Sequence, residues 1–262
     1  MHRARKRFGQ HFLHDQNVIE RILRSINPQP GENLIEIGPG QGALTYPLLK
    51  DCRDLIAIEL DRDLVPVLNR ESSAYGNLEV INADILEFDL TSLGAHKKFR
   101  LVGNLPYNIS TPLMFHMLES MTQIEDMHFM VQKEVALRIV AGPGNANYGR
   151  LSVMLQCRCD CQYLFDVAPG SFSPPPRVDS AVIRMIPLAN PEHDFGDEAF
   201  FAKIVQTAFS QRRKTLSNSL KTLVSRELIE ACDIDPKLRA ENLSIGDFAK
   251  LSRASARAGT LT

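Results

Sequence analysis

The chain has 262 residues, 44% of them hydrophobic and 23% charged, with a formal net charge of -1. These values exclude a disordered or fibrous chain and fit one large domain plus a small one. No apolar run reaches the roughly 20 residues of a membrane-spanning helix, and no apolar stretch with a small-residue cleavage site follows the charged start. A cytoplasmic protein without a membrane partner is expected.

The chain opens on a basic arm of Arg3, Arg5, Lys6 and Arg7. From Asn33 onward, short apolar runs alternate with helix-like segments. Leu34–Ile37, Leu55–Ile58, Leu78–Ile81, Arg100–Val102 and Met127–Val131 read as strands, several apolar at successive positions as in strands buried on both faces. Helices lie between them, one over Leu113–Met121. This alternation predicts an α/β fold with a Rossmann-like parallel sheet flanked by helices. The five cysteines are an odd number and suggest no disulfide framework. Cys157, Cys159 and Cys161 alternate, unlike the C-x2-C pairs of structural zinc; they read as one face of a strand or a bend, with no metal. Ser180–Ile186 reads as a last strand, antiparallel in one reading.

A linker at 187–191 follows. Beyond it, Phe201, Ile204, Val205, Ala208 and Phe209 recur at helical spacing. Further helices are expected over 214–224, 226–232 and 245–252, with Gly246 weakening the start of the last. The predicted division is thus a sheet domain over 1–187, carrying the basic arm, and a helical domain over 188–262. Arg212, Arg213 and Lys214 form a second basic cluster. Such clusters can bind phosphates on a chain of near-zero net charge, although either alone also reads as solvated surface.

The first strand runs into Glu36-Ile-Gly38-Pro-Gly40-Gln-Gly42-Ala43. Glycines at a strand-to-helix turn let the backbone approach a ligand closely. The second strand ends in Glu59, a carboxylate able to accept hydrogen bonds from both hydroxyls of a ribose. Gly38, Gly40 and Ala43 also fit the dinucleotide pattern G-x-G-x-x-G/A, so NAD stays open here, as does a tight turn without a ligand. Asp84, after the third strand, reads as an acceptor for an adenine amine or as a loop cap. It shares with Gly38 and Glu59 the sheet edge at which open α/β sheets bind ligands.

The fourth strand ends in Gly103-Asn104-Leu105-Pro106-Tyr107-Asn108. The plain reading is a turn rich in turn-forming residues. The chemical reading is methylation of an exocyclic adenine amine. That nitrogen is a poor nucleophile because its lone pair is delocalised into the ring. Acceptors for both amine protons draw it toward tetrahedral geometry, and the Asn104 amide oxygen and the Leu105 carbonyl suit this task. Pro106 lacks an N–H and fixes φ, which helps aim that carbonyl. Tyr107 offers a stacking face, worth about 1–3 kcal/mol per base. Orientation can supply roughly 7–11 kcal/mol of such a barrier, and no strong base is required. In Phe172-Ser-Pro-Pro-Pro-Arg177, three prolines stiffen an extended loop. That loop either holds Phe172 over an extruded base or leaves it capping the core.

Taken together, Arg5–Leu13 (RKRFGQHFL), Glu36–Gly40, Asn104–Pro112, Gln132–Glu134, Tyr148–Ser152, Phe172–Asp179, Phe209–Leu216 and Arg239–Ser244 resemble the ribosomal RNA small-subunit adenine dimethyltransferase A family, over almost the whole chain. The resemblance implies a class I methyltransferase fold that uses S-adenosylmethionine (SAM), with a helical C-terminal domain that binds rRNA. It implies N6,N6-dimethylation of two adjacent adenosines in the 3′-terminal hairpin loop of 16S rRNA. The substrate would be the 30S small subunit or its precursor, with a role in late assembly and a link between lost activity and kasugamycin resistance. Carried over by motif, the cofactor contacts are His11, Leu13, Gly38, Glu59, Asp84 and Asn104. His11 departs from the family, many members of which carry Asn there. The target end comprises Asn104, Leu105, Pro106, Tyr107 and Phe172. The clusters Arg5, Lys6, Arg7 and Arg212, Arg213, Lys214 would grip phosphates of flanking helices, which makes binding salt-sensitive. A monomer is the simplest state for a single-copy site on a large particle.

Three other readings compete. Related enzymes dimethylate large-subunit rRNA with the same fold, but Phe172–Asp179 and the Arg212–Lys214 cluster favour the small subunit. A NAD-dependent oxidoreductase leaves Asn104–Tyr107 unexplained. A non-catalytic assembly factor would need a broken motif, and none is evident.

Overall fold

The structure, a computed structural model, describes residues 10–190 and 192–257. Arg3, Arg5, Lys6 and Arg7 lie outside the described residues. The chain divides into two compact units, one of residues 10–136 and 160–187, the other of 137–159 and 188–257. The second unit thus takes an internal segment from within the first, besides everything after Pro187.

The first unit begins with β1 (Phe12–Leu13) and α1 (Gln16–Ile26). Asp15 caps α1, accepting from the N–H groups of Asn17 and Val18, and Asn27 ends it in the left-handed region. Ile19, Ile22 and Ile26 bury one face of this helix. There follow β2 (Leu34–Ile37), α2 (Thr45–Cys52), β3 (Asp54–Glu59), α3 (Val65–Ser72), β4 (Asn77–Asn82), β5 (Phe99–Asn104), α4 (Ser110–Glu119) and β6 (Ile124–Gln132). After α5 (Lys133–Val140) and α6 (Arg150–Gln156), β7 (Cys159–Val167), β8 (Phe172–Ser173) and β9 (Ser180–Pro187) complete the strands.

Seven strands form one sheet in the order β4-β3-β2-β5-β6-β9-β7. β2 to β6 pair in parallel, and β9 runs antiparallel to β6. β2 is buried at every position, and β5 at every position except its last, Asn104. The chain builds from β2 out through β3 to β4, then returns to the other side of β2 for β5 and β6. Such a reversal opens a crevice at the carboxyl ends of the central strands, where Glu59 and Asn104 are the terminal residues of β3 and β5. Cys159 and Cys161 lie on β7, whereas Cys157 ends α6, so the strand reading holds for two of the three alternating cysteines. A two-stranded ladder absent from the sequence reading joins β1 to β8, with Phe12 opposite Ser173 and Leu13 opposite Phe172.

Away from this crevice, a buried ion pair fastens β5 to β6. Arg100 Nε and Nη2 donate to the two carboxylate oxygens of Asp126 at 2.9 and 3.0 Å, and its remaining donors reach Glu32 and the Ile26 carbonyl. Both Arg100 and Asp126 are buried. Loss of the Asp126 charge leaves the buried Arg100 guanidinium with Glu32 as its counter-charge and weakens two charge-assisted hydrogen bonds. Asp126→Asn is therefore expected to lower unfolding free energy by about 1.5–3 kcal/mol, measured by denaturant titration, without changing ligand affinity at the crevice. Native-like stability in that variant would contradict this role.

The second unit packs α6 with α7 (Glu198–Phe209), α8 (Leu216–Ser219), α9 (Arg226–Ala231) and α10 (Ile245–Arg257). Phe200, Phe201, Ile204, Val205 and Ala208 of α7 enter one core with Tyr148, Val153, Leu220 and Phe248. The helix expected over 214–224 shrinks to α8. The N–H groups of Leu216 and Ser217 bond to the carbonyls of Leu238 and Pro236, and Ser217, Asn218 and Ser219 favour a helix weakly. α10 runs longer than expected despite Gly246. Ser244 Oγ accepts from the Asp247 N–H while Asp247 Oδ2 accepts from the Ser244 N–H, a reciprocal cap that fixes its start. No helix among the described residues is long and apolar enough to cross a membrane.

Candidate active site

A cleft of about 1100 Å³ lies at the carboxyl edge of the central strands. It is lined by His11, Leu13, Gly38, Glu59, Asp84, Asn104, Leu105, Pro106 and Tyr107, so nine positions singled out in the sequence meet in one place. Gln10, Phe12, Glu36 and Leu60 line it too.

The turn after β2 forms one wall. Gly38, Gly40 and Gly42 have φ of +68°, +58° and +85°, which side chains strongly disfavour. At Gly42 the space is also closed, because a Cβ would come within 2.3 Å of the Tyr46 ring. Glu59 holds this turn from β3. Its Oε2 accepts from the Gly40 N–H at 3.1 Å and its Oε1 from the Asp61 N–H at 2.8 Å. A carboxylate has about four lone-pair sites, so each oxygen retains capacity for a hydroxyl. Burial raises the Glu59 carboxyl above its ordinary range, and the two backbone N–H groups oppose that shift. Asp84 caps its own loop through Oδ1, accepting from the Leu86 N–H at 2.9 Å, and lines the cleft as well. The loop-cap reading therefore describes its position, at the edge of the cleft.

Glu36 was not among the candidates. It is 2% exposed, its Oε2 has no hydrogen-bond partner, and burial, with Glu59 nearby, pushes its carboxyl up to about 8. The signal was present as an acid inside the apolar run Leu34–Ile37. Among the described residues, the lining includes Glu36, Glu59 and Asp84 but no lysine or arginine. These acceptors suit a cationic ligand carrying a ribose. They suit less well the pyrophosphate of a dinucleotide.

The opposite wall is the turn after β5. The Leu105 N–H donates to the Met130 carbonyl at 3.0 Å, tying the turn to β6. Asn104 Nδ2 donates to the His11 carbonyl at 3.0 Å. A carbonyl only accepts, so the amide orientation is set and Oδ1 is left as the acceptor toward a ligand. The Tyr107 hydroxyl and Ser180 Oγ lie 2.7 Å apart, and burial raises the phenol above its ordinary range. Phe172 is not part of this wall. It is 2% exposed and packs in the core with Leu13 and Val182. Of its two sequence readings, the core one describes its position, because pairing with Leu13 across the β1–β8 ladder turns it inward.

The cations of the second unit are not equivalent. Arg212 Nη2 donates to the Ala146 carbonyl at 2.6 Å and lies 3.9 Å from Glu241. It braces a loop within its unit, whereas Arg213 and Lys214 are exposed side by side.

Comparison with known proteins agrees with this geometry. The family model for ribosomal RNA adenine dimethylase matches residues 1–256. The ribosomal RNA small subunit methyltransferase A of Pseudomonas aeruginosa is 53% identical over 252 residues, 96% of this chain and 94% of that protein. The crystal structure of a dimethyladenosine transferase from Plasmodium falciparum superposes with a TM-score of 0.83 at 26% identity, covering 95% of this chain and 98% of that one. The 23S rRNA methyltransferase ErmE gives 0.73 at 26% identity, covering 94% and 99%. With a cleft lined by three carboxyl groups and by Asn104, and with relatives along nearly its full length, the chain belongs to the ribosomal RNA adenine dimethylase family.

Proposed function

We propose that this chain transfers methyl groups from SAM to the N6 amines of two adjacent adenosines in the 3′-terminal hairpin loop of 16S rRNA. The substrate is the cytoplasmic 30S subunit or its late precursor, the enzyme acts as a monomer, and engaging the particle contributes to assembly. The observation that carries the proposal is Asn104, which lines the cleft and whose Nδ2 is committed to the His11 carbonyl, so that its oxygen is the amide atom left to accept.

SAM supplies an electrophilic methyl on a sulfonium. The residues of the cleft suit it: Glu59 would take the ribose hydroxyls, Asp84 the adenine amine, and the Gly38–Gly42 turn the close approach of the chain, with Leu13 as apolar lining. Asn104 Oδ1 and the Leu105 carbonyl would accept the two protons of the target amine, while Pro106 stiffens the turn and Tyr107 stacks the base. Asn104 is thus an acceptor that positions the amine. A monomethylated nitrogen still has one proton to donate, so the same site serves a second transfer. An unpaired loop suits this mechanism, because its bases can be splayed out and stacked at little cost. Arg213 and Lys214, with the basic arm, would hold flanking phosphates.

Glu36 gives the proposal a pH signature. Burial holds its carboxyl at about 8, so it is largely protonated at neutral pH. A bound cation favours the ionised form and drives the proton off. SAM affinity is expected to rise from about pH 6 to about pH 8 and to level off above. Calorimetry in buffers of different ionisation heat should show proton release at neutral pH, lost in Glu36→Gln. A flat profile in the native protein would contradict it.

The choice between ribosomal subunits is tested in cells. Mass spectrometry of both rRNAs from a deletion strain should show dimethyladenosine missing from 16S rRNA and unchanged in 23S rRNA. The reverse pattern would assign the large subunit.

A further inference from the structure

We infer that His11 is a positioning residue for the target base, acting through Tyr107 and through the segment that follows β8. The inference rests on the reading of Asn104–Tyr107 as the target site and gives His11 a task distinct from touching the cofactor.

Three contacts converge on this one residue, two to the end of β5 and its turn and one to the segment after β8. Its main-chain carbonyl takes Asn104 Nδ2 at 3.0 Å. Its imidazole stacks on the Tyr107 ring, with centroids 5.4 Å apart and planes inclined by 30°. Its Nδ1 lies 2.8 Å from the Pro174 carbonyl. Because a carbonyl only accepts, the proton sits on Nδ1, and both the tautomer and the ring plane are set.

The consequence falls on Tyr107. Ser180 Oγ holds its hydroxyl at 2.7 Å, and His11 covers one face of its ring. The ring is therefore preset, and a base has the other face to stack on. A stacking surface ordered in advance does not lose side-chain freedom when the base arrives. The same imidazole joins the 172–174 segment to the start of the chain a second time, beside the Phe12–Ser173 and Leu13–Phe172 pairing. An asparagine at this position offers no ring to Tyr107. The device therefore belongs to chains that carry an aromatic ring at this position.

The test compares His11→Ala, His11→Asn and His11→Phe, each of which keeps the main-chain carbonyl that orients Asn104. Methyl transfer to unmethylated small subunits gives kcat and KM for the particle, and calorimetry gives Kd for SAM. His11→Ala is expected to lower kcat/KM for the particle by about 10- to 100-fold, with Kd for SAM within about threefold of wild type. His11→Phe restores a ring beside Tyr107 and should recover most of the KM change, while His11→Asn should resemble His11→Ala. A rise in the SAM Kd that matches the loss, with kcat restored at saturating SAM, would make His11 a cofactor ligand and overturn the inference. So would a His11→Phe variant no better than His11→Ala. The wild type, run alongside, separates the two failures. No transfer by wild type defeats the target-site reading and this inference with it, whereas equal transfer by wild type and His11→Ala defeats the inference alone.

Discussion

Asn104→Ala is expected to lower kcat by about 100- to 1,000-fold, the usual cost of removing one preorganised hydrogen-bonding group aimed at a reacting centre. The Kd for SAM should rise by less than about tenfold. The separation follows from what the amide does. Nδ2 is committed to the His11 carbonyl, so the oxygen is held rather than merely present, and it meets the amine where nucleophilicity must be raised. Asn104→Asp sharpens the test. The carboxylate keeps an acceptor but brings a negative charge to the His11 carbonyl in place of a donor, so the orientation is lost and kcat should fall as well. Single-turnover transfer with SAM saturating measures the chemical step directly. Undiminished turnover in Asn104→Ala would remove this residue from the mechanism.

Glu59→Ala is expected to raise the Kd for SAM by about 100-fold or more, since hydrogen bonds to a charged group are worth about 1.5–3 kcal/mol each and the proposal gives Glu59 both ribose hydroxyls. The loss has a second source within the protein. Glu59 also accepts from the N–H groups of Gly40 and Asp61, so its removal leaves one donor of the glycine turn and one just after β3 without their partner. Glu59→Gln should not rescue binding fully, because its amide presents a donor toward one of those N–H groups. With SAM saturating, kcat should stay within about tenfold of wild type, because Glu59 lies at the cofactor end and touches no target atom. Calorimetry of both variants checks this. Native affinity in Glu59→Ala would place the ribose elsewhere.

These two residues also show how much of the site was legible before the fold was known. Strand ends are local features. Leu34–Ile37 and Leu55–Ile58 read as buried strands from their apolar runs, and the residues just past them had to share one sheet edge. Gly38, Glu59, Asp84 and Asn104 were therefore found together. Contacts that depend on distant pairing were not legible. The β1–β8 ladder is two residues long on each side, too short for any periodicity, yet it brings His11 to Asn104 and turns Phe172 into the core. Residues 137–159 gave no sign of grouping with the C-terminal helices, because that grouping rests on Tyr148 and Val153 packing with α7. Arg212 looked like its two cationic neighbours, and only the carbonyls of the 146–148 loop distinguish it. Glu36 was visible as an acid in an apolar strand, but its meaning required knowing that the strand is buried and one carboxyl oxygen unpartnered.

The most direct test is transfer of labelled methyl from SAM to purified small subunits that lack the modification, followed by mapping of the labelled base. The account predicts label on N6 of two adjacent adenosines in the 3′-terminal hairpin loop of 16S rRNA, with dimethyladenosine as the end product and transfer by Asn104→Ala slowed by about 100- to 1,000-fold. Label confined to 23S rRNA, or to a position other than an adenine amine, would contradict it.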